Sequence, residues 1–210
     1  MDVLLSTTYF GPVQWYQKLH RAEKIWIDGQ ERFVKQTCRN RCVIATANGT
    51  QTLSIPTVHP ADAGGQHATS MKEIRISDHG NWRHQHWNAL ASAYGESPFF
   101  DYYADDLRPF FEKRWNFLLD FNMEITIKMC ELLDIEPDIA LTENCIPKPA
   151  DTPTLFCDLR DAISPKHPAE DPDFQPRPYY QVYGQRHGFT PNLCILDLLF
   201  NMGNESIFYL

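Results

Sequence analysis

The residues of this chain best suited to chemistry fall in one short basic stretch, KQTCRNRCVIATANGTQTLSIP. Arg39, Asn40 and Arg41 lie there between two cysteines. Guanidinium groups donate hydrogen bonds in a rigid fork that fits phosphate and carboxylate, so these cations suit a binding site for one anionic ligand. The alternative is a solvated basic turn that balances acids elsewhere, because isolated charge clusters are usually surface features.

The flanking cysteines, Cys38 and Cys42, raise the question of a metal or redox site. A spacing of four residues brings two side chains together on a helix, but the β-rich residues that follow predict a strand. The chain has 6 cysteines, without a CxxC pair, and its start has no basic leader, so we expect reduced thiols in a cytoplasmic protein. We therefore expect no metal and no cofactor. A transferase that uses Cys42 as nucleophile is the alternative ranked last, because no neighbouring base is evident from the sequence.

Two further side chains suit acid–base chemistry. His86, in NWRHQHWNALASAY, borders the apolar face of a predicted helix, and imidazole titrates near neutrality, so His86 is a candidate general base. Asp197 and Asn201 lie four residues apart on an almost wholly apolar closing helix. A buried carboxylate needs a cation, a histidine or backbone donors, so Asp197 is a candidate to hold a catalytic partner. Both patterns also fit purely structural hydrogen bonding, and the sequence leaves that alternative open.

The elements that must position these residues can be placed from their patterns. VLLSTTYF predicts a first strand, and the dipeptide Asn48-Gly49 between two β-rich runs predicts a hairpin. A continuous apolar stripe predicts one helix from about Phe110 to Leu133. Strands near the start followed by helices indicate an α/β (or α+β) fold, a single-domain sheet covered by helices.

The last third of the chain predicts a covering loop and a closing helix. Residues 147–178 contain eight of the 15 prolines, which is typical of an irregular covering loop. Thr190 is the predicted N-cap of the closing helix, Pro191 suits its first position and Gly203 its end.

Composition excludes several classes of protein. A net charge of -8 argues against a general nucleic-acid binder. No run of about 18 apolar residues is present, so no membrane span is predicted. The sequence contains no GxGxxG, GxxxxGK[ST], GxSxG or HExxH motif, which disfavours dinucleotide, P-loop, serine-hydrolase and zincin chemistry.

A family resemblance is carried by four ordered segments, which are LLSTTYFGPVQWYQKL, KQTCRNRCVIATANGTQTLSIPT, NWRHQHWNALASAYGESPFFDYY and PNLCILDLLFNMG. The chain resembles the WbqC-like family of bacterial proteins from its first strand to its last helix, which predicts a single WbqC-like domain over residues 1–210. Many relatives open with His-Gln-Pro where this chain has Ser6-Thr7-Thr8.

The resemblance implies a role in surface-polysaccharide biosynthesis of the O-antigen type. The activity we expect from it is acyl or aminoacyl transfer to an amino sugar or a nucleotide-linked sugar, and a homo-oligomer is compatible with it. The alternative is a non-catalytic ligand-binding or scaffold protein in the same pathway. The candidate catalytic residues are then His86 and Asp197, and the candidate substrate-binding residues are Arg39, Asn40, Arg41, Tyr94, Asn192 and Asn201.

Overall fold

A computed structural model describes residues 1–58, 69–144, 146, 156–165 and 171–210. The strands are β1 (Val3–Leu5), β2 (Ile25–Ile27), β3 (Arg41–Thr46), β4 (Gly49–Ser54), β5 (Thr57–Val58), β6 (Arg75–Ile76), β7 (Ile139–Leu141) and β8 (Cys157–Asp158). The α-helices are α1 (Val13–Arg21), α2 (Trp82–Tyr94), α3 (Phe100–Leu107), α4 (Pro109–Glu112), α5 (Leu118–Leu133), α6 (Gly184–His187) and α7 (Ile195–Met202). Short 3-10 turns cover Met71–Glu73, His79–Asn81 and Gly203–Tyr209.

The centre of the fold is a parallel four-stranded sheet in the order β7-β2-β1-β8. β1 and β2 are short apolar strands, VLL and IWI, as expected where a parallel sheet is covered on both faces. From β1 the chain passes through α1 to β2 on one side, whereas β8 joins β1 on the other side. The carboxyl ends of β1 and β8 therefore lie at a switch point of the topology, where ligands of open α/β sheets bind.

The predicted hairpin is present as β3 and β4, which pair antiparallel from Arg41 with Ser54 to Thr46 with Gly49. Its two-residue turn is Ala47-Asn48, one position earlier than the favoured Asn-Gly dipeptide. Gly49 takes the positive φ of +111° directly after the turn. The hairpin prediction is confirmed, and the turn is shifted by one residue.

The predicted continuous helix from Phe110 to Leu133 is wrong, because the chain is extended between α4 and α5. Lys113 has φ -74° and ψ 143°. The backbone N–H of Ile76 donates to the carbonyl of Asn116 at 2.9 Å, so this stretch pairs beside β6. The apolar stripe correctly predicted burial on both sides of the break, but this pairing with another strand has no local signal.

The closing helix begins later than predicted. Asn192 has a left-handed φ of +56°, so the chain cannot be helical there and α7 starts at Ile195. The backbone N–H of Cys194 instead donates to the carbonyl of Val43 in β3, at 2.9 Å. Thr190 and Pro191 therefore lie in a loop, whereas the predicted end at Gly203 is confirmed.

The parallel sheet with its helices confirms an α/β fold. Much of the predicted proline-rich covering loop, at residues 147–155 and 166–170, lies outside the described residues. Within the described part of the chain, no helix has the length and apolar character that crossing a bilayer requires. A single domain over residues 1–210 stays a prediction.

Candidate functional site

Each strand of the parallel sheet delivers a polar side chain to the same carboxyl edge. Ser6 follows β1, Asp28 follows β2, Thr142 follows β7 and Arg160 comes two residues after β8. The Arg160 Nη1 donates to Asp28 Oδ2 at 2.6 Å, and the Thr142 hydroxyl donates to Asp28 Oδ1 at 3.0 Å. Asp28 is fully buried, so this ion pair and hydrogen bond fix the strand ends relative to one another.

A second buried ion pair, between Arg39 and Glu31, lies at the same edge. The Arg39 Nε donates to Glu31 Oε1 at 2.8 Å, and its Nη2 donates to the Ser6 hydroxyl oxygen at 2.8 Å. The Ser6 hydroxyl lies 3.0 Å from Glu31 Oε2, which accepts from it. Burial raises the pKa of Glu31, although the Arg39 guanidinium and its hydrogen bond oppose that shift. Arg39, predicted to bind substrate, is occupied by protein groups.

Ser6, Thr7 and Thr8 line a small cleft between the ends of β1 and β8, which we call the switch-point cleft. Its volume is about 10 Å³, comparable to a single water site. The hydroxyls of Thr7 and Thr8 are buried and make no hydrogen bond within the described part of the chain. These two hydroxyls therefore lie at the edge without a described partner, beside the ion pairs that Arg39 and Arg160 make.

A larger cavity of about 270 Å³ adjoins this cleft, since Cys38 and Ile163 line both. We call it the Arg41 cavity, because Arg41 is the charged residue among its described lining residues. The Nε of Arg41 is buried and has no hydrogen-bond partner among the described groups. The remaining lining is mainly apolar and includes Phe10 and Pro12. Although the protein has a net charge of -8, the one charged residue among the described residues that line this cavity is a cation.

Asn40 separates the two arginines and holds the hairpin. Its Nδ2 donates to the carbonyl of Ile55 at 3.0 Å, and its own carbonyl accepts from the Ile55 N–H at 2.8 Å. These two bonds join the start of β3 to the residue after β4. Of the predicted clamp Arg39-Asn40-Arg41, only Arg41 reaches the cavity.

Asn192 also lines the Arg41 cavity, but its amide is bonded to α1. Its Oδ1 accepts from the backbone N–H of Gln14 at 2.9 Å, and its Nδ2 donates to Gln14 Oε1 at 3.1 Å. The carbonyl of Leu193 accepts from the N–H of Val13 at 3.0 Å. The N-terminus of α1 is therefore capped by this loop, and an anion in the cavity must rely on Arg41 instead.

Three thiols, those of Cys38, Cys42 and Cys194, line the same cavity. Burial raises the pKa of Cys38 to about 11 and that of Cys42 well above its usual range. These two thiols are protonated at neutral pH and are weak nucleophiles, which disfavours the Cys42-dependent transferase. Over the described residues, no three His, Cys, Asp or Glu side chains converge on a metal position.

His86 lies in the core and lines neither the Arg41 cavity nor the switch-point cleft. Its Nδ1 is 2.9 Å from the Tyr9 hydroxyl, and its ring also bonds the backbone of Ser54. Burial lowers the pKa of His86 to about 4, so the ring is neutral at physiological pH. The general-base role of His86 stays a prediction, and these contacts show a ring already engaged by the protein.

Asp197 is the centre of a third buried network. Its carboxylate accepts from the hydroxyls of Tyr94 and Tyr179, at 2.9 and 2.7 Å, and from Gln181 Nε2 at 2.9 Å. Burial raises the pKa of Asp197, and the three donors oppose that shift. Asn201 accepts from the backbone N–H of Val182 at 3.1 Å. Hydrogen bonds therefore hold the segment 179–182 against α7.

The predicted site residues therefore fall into separate places. Arg41 and Asn192 line the cavity, whereas His86 and the Asp197 network lie elsewhere in the core. Sequence reasoning missed the carboxyl-edge residues Ser6, Asp28, Glu31, Thr142 and Arg160. Their one signal was position, because Ser6 and Asp28 each come directly after an apolar run that reads as a strand.

An open parallel sheet with a polar carboxyl edge and an adjoining cavity is typical of α/β proteins that bind small ligands at that edge. The chain belongs to the WbqC-like protein family, whose profile matches residues 7–167. It is 30% identical over 202 residues to the uncharacterized protein Rv1507c of Mycobacterium tuberculosis, covering 85% of this chain and 84% of that protein. No solved structure matches the chain.

Proposed function

We propose that this protein binds the phosphate of a nucleotide-linked amino sugar in the Arg41 cavity and transfers an acyl or aminoacyl group to the sugar in surface-polysaccharide biosynthesis. The observation that carries the binding step is Arg41 itself. It is the one charged residue among the described lining residues, and its buried Nε has no hydrogen-bond partner among the described groups. A buried donor without a partner costs about 1–3 kcal/mol. A phosphate that accepts from Nε and one Nη would recover that cost bidentately.

The size of the cavity limits which part of the ligand enters it. At about 270 Å³ it is slightly below the usual range for whole small-molecule ligands, which begins near about 300 Å³. A sugar phosphate fits this volume better than a complete nucleotide sugar. The apolar lining beside Arg41 suits the ring face of a sugar, and the nucleoside would extend from the cavity.

The transfer step is supported by the polysaccharide context that the family resemblance implies. The sugar amine would attack the carbonyl carbon of an activated acyl donor such as a thioester. A C–N bond forms, the thiolate leaves, and the amine proton passes to a carboxylate. Glu31 is the carboxylate we assign. It does not line the cleft itself, but it accepts from the hydroxyl of Ser6, which does, so the proton would pass to Glu31 through that hydroxyl. The cleft shares Cys38 and Ile163 with the cavity.

A non-catalytic ligand-binding protein is the second candidate. The observation that favours it is the lining of the Arg41 cavity, whose described residues include no carboxylate and no imidazole. In this alternative Arg41 holds the same phosphate, and the bound sugar leaves unchanged.

Binding is tested by calorimetric titration of UDP-glucosamine into the wild type, Arg41→Ala and Arg186→Ala. Arg186 is an exposed arginine outside the cavity and serves as the matched control. Loss of a hydrogen-bonded ion pair predicts about tenfold to hundredfold weaker binding in Arg41→Ala, and unchanged binding in Arg186→Ala. Equal affinity in Arg41→Ala and the wild type would contradict the proposal.

Catalysis is tested separately by incubating the protein with UDP-glucosamine and acetyl-coenzyme A and searching for the acylated sugar by mass spectrometry. Ser6→Ala keeps the Glu31–Arg39 ion pair and removes the hydroxyl that contacts Glu31. Product that forms with the wild type and is lost with Ser6→Ala, while binding is kept, supports the transferase. Binding without product across acyl and aminoacyl donors supports the non-catalytic alternative.

A further inference from the structure

A second cavity, of about 670 Å³, shares no lining residue with the Arg41 cavity. We call it the tyrosine groove, because Tyr102, Tyr103 and Tyr180 line it. Tyr102 is 72% exposed and Tyr180 is 55% exposed, which is unusual for large aromatic side chains that gather at one place. The polar lining residues include Asn204 and Glu205.

The Asp197 network holds Tyr180 in this exposed position. Tyr179 and Gln181, on either side of Tyr180, both turn inward and donate to the Asp197 carboxylate. Their exposed fractions are 9% and 5%. Because successive side chains of an extended segment point to opposite sides, Tyr180 points outward into the groove. Tyr94 and Asn201 complete the network, so these buried residues set the position of a groove wall before any ligand arrives.

The opposite wall is also fixed by internal contacts. The Tyr103 hydroxyl donates to Asn204 Oδ1 at 3.0 Å, which orients the amide, and no described group accepts from Asn204 Nδ2. Gly203 brings this turn against Phe99, because a Cβ at Gly203 would lie 2.7 Å from the ring. The carboxylate of Glu205 has no partner among the described residues. The groove thus presents aromatic faces, together with an amide donor and a carboxylate that no described residue engages.

The charge of the groove restricts its ligand. Glu205 is the charged residue among the described lining residues. Asp106, on the same helix as Tyr103, adds negative potential and contributes to the raised pKa of that tyrosine, after burial and Tyr102. Phosphates and nucleic acid are repelled here, whereas a cation gains from both the carboxylate and the tyrosine rings.

We propose that the tyrosine groove binds an amino-sugar unit of an oligosaccharide, with the amine in its ammonium form. The apolar face of a pyranose ring stacks on a tyrosine ring, as amphipathic aromatic side chains allow. The ring hydroxyls accept from Asn204 Nδ2, and the ammonium group pairs with Glu205. This second site is independent of Arg41, so the two proposals can fail separately.

The test is calorimetric titration, at mildly acidic pH, with three trisaccharides of similar shape. The glucosamine trimer carries ammonium groups, the N-acetylglucosamine trimer carries neutral amides, and cellotriose carries hydroxyls alone. The wild type should bind the glucosamine trimer most tightly, by about threefold to tenfold over cellotriose. No binding of the glucosamine trimer, or equal affinity for all three, would overturn the proposal.

Variants locate the binding site. Tyr180→Ala and Tyr102→Ala should each weaken binding of the glucosamine trimer by about tenfold, whereas Phe208→Ala should leave it unchanged. Phe208 is a fair control because it is 70% exposed and does not line the groove. Glu205→Gln should remove the preference for the amine and keep the affinity for cellotriose. Arg41→Ala should bind the trimer like the wild type, and wild-type affinity in both tyrosine variants would refute the site.

Discussion

The hydroxyl of Tyr94 joins two parts of the fold, because it donates to Asp197 Oδ1 at 2.9 Å and accepts from the backbone N–H of Ala45 at 3.0 Å. Tyr94 ends α2, Asp197 lies in α7 and Ala45 lies in the β3 strand of the hairpin. One hydroxyl therefore connects two helices to the hairpin whose first residue is Arg41. Because of this link, we expect a change at Tyr94 to lower the stability of the fold.

Tyr94→Phe should destabilise the protein by about 1–3 kcal/mol. The substitution keeps the ring but leaves the Ala45 N–H without its acceptor and removes one of three donors from a buried carboxylate. Urea denaturation measures the loss. Tyr102→Phe is the control, since Tyr102 is 72% exposed and should change stability little. Equal stability of Tyr94→Phe and the wild type would show that water replaces the lost contacts.

His86 should make stability depend on pH in mildly acidic solution. Its pKa is lowered from 6.5 to about 4 in the folded protein, chiefly by burial. The unfolded chain therefore binds a proton at His86 more readily than the folded protein does. The contribution of the neutral, buried His86 ring to the free energy of unfolding is complete above pH 6.5 and is lost as pH falls towards 4. The expected loss is on the order of 3 kcal/mol.

The measurement for His86 is the free energy of unfolding across this pH range in the wild type and in His86→Gln. The free energy of unfolding of the wild type minus that of His86→Gln should increase as pH rises, because only the wild type has the titrating ring. His84→Gln, at an exposed position of the same helix, should keep the wild-type slope. A parallel pH dependence in wild type and His86→Gln would contradict the buried, neutral imidazole.

Gly203→Ala should destabilise the fold more than Gly80→Ala. Both glycines have a positive φ, but Gly80, with φ +78° and ψ 13°, lies near the left-handed region that alanine adopts at a cost of about 1–2 kcal/mol. Gly203, with φ +56° and ψ -131°, lies outside that region, so its backbone cost is larger. At Gly203 a Cβ would also lie 2.7 Å from the ring of Phe99, whereas nothing lies within 4 Å at Gly80. Thermal denaturation of both variants measures the difference, to which the backbone conformation and the contact with Phe99 both contribute at Gly203. Because Phe99 lines the tyrosine groove, Gly203→Ala should also weaken binding of the glucosamine trimer.

Local patterns in the sequence were sufficient for part of the fold. The hairpin and α2 follow from turn residues and from apolar periodicity within a dozen neighbours. The same reasoning failed at residues 113–117 and at Asn192, where the chain leaves the helix to bond a distant strand or to cap α1. In both places backbone groups found partners that lie far away in the sequence.

The sequence by itself determined the α/β class, the acidic balance and the presence of a guanidinium cluster before β3. Only the tertiary structure decided which arginine lines a cavity. Arg39 is neutralised by Glu31 and bonded to Ser6, which the sheet brings to the same edge, whereas Arg41 meets no such partner in the described chain. Two arginines that are separated by one residue differ in this way because the hydrogen-bond partners of a charge depend on its neighbours in space. Parallel strands bring those neighbours from distant parts of the sequence.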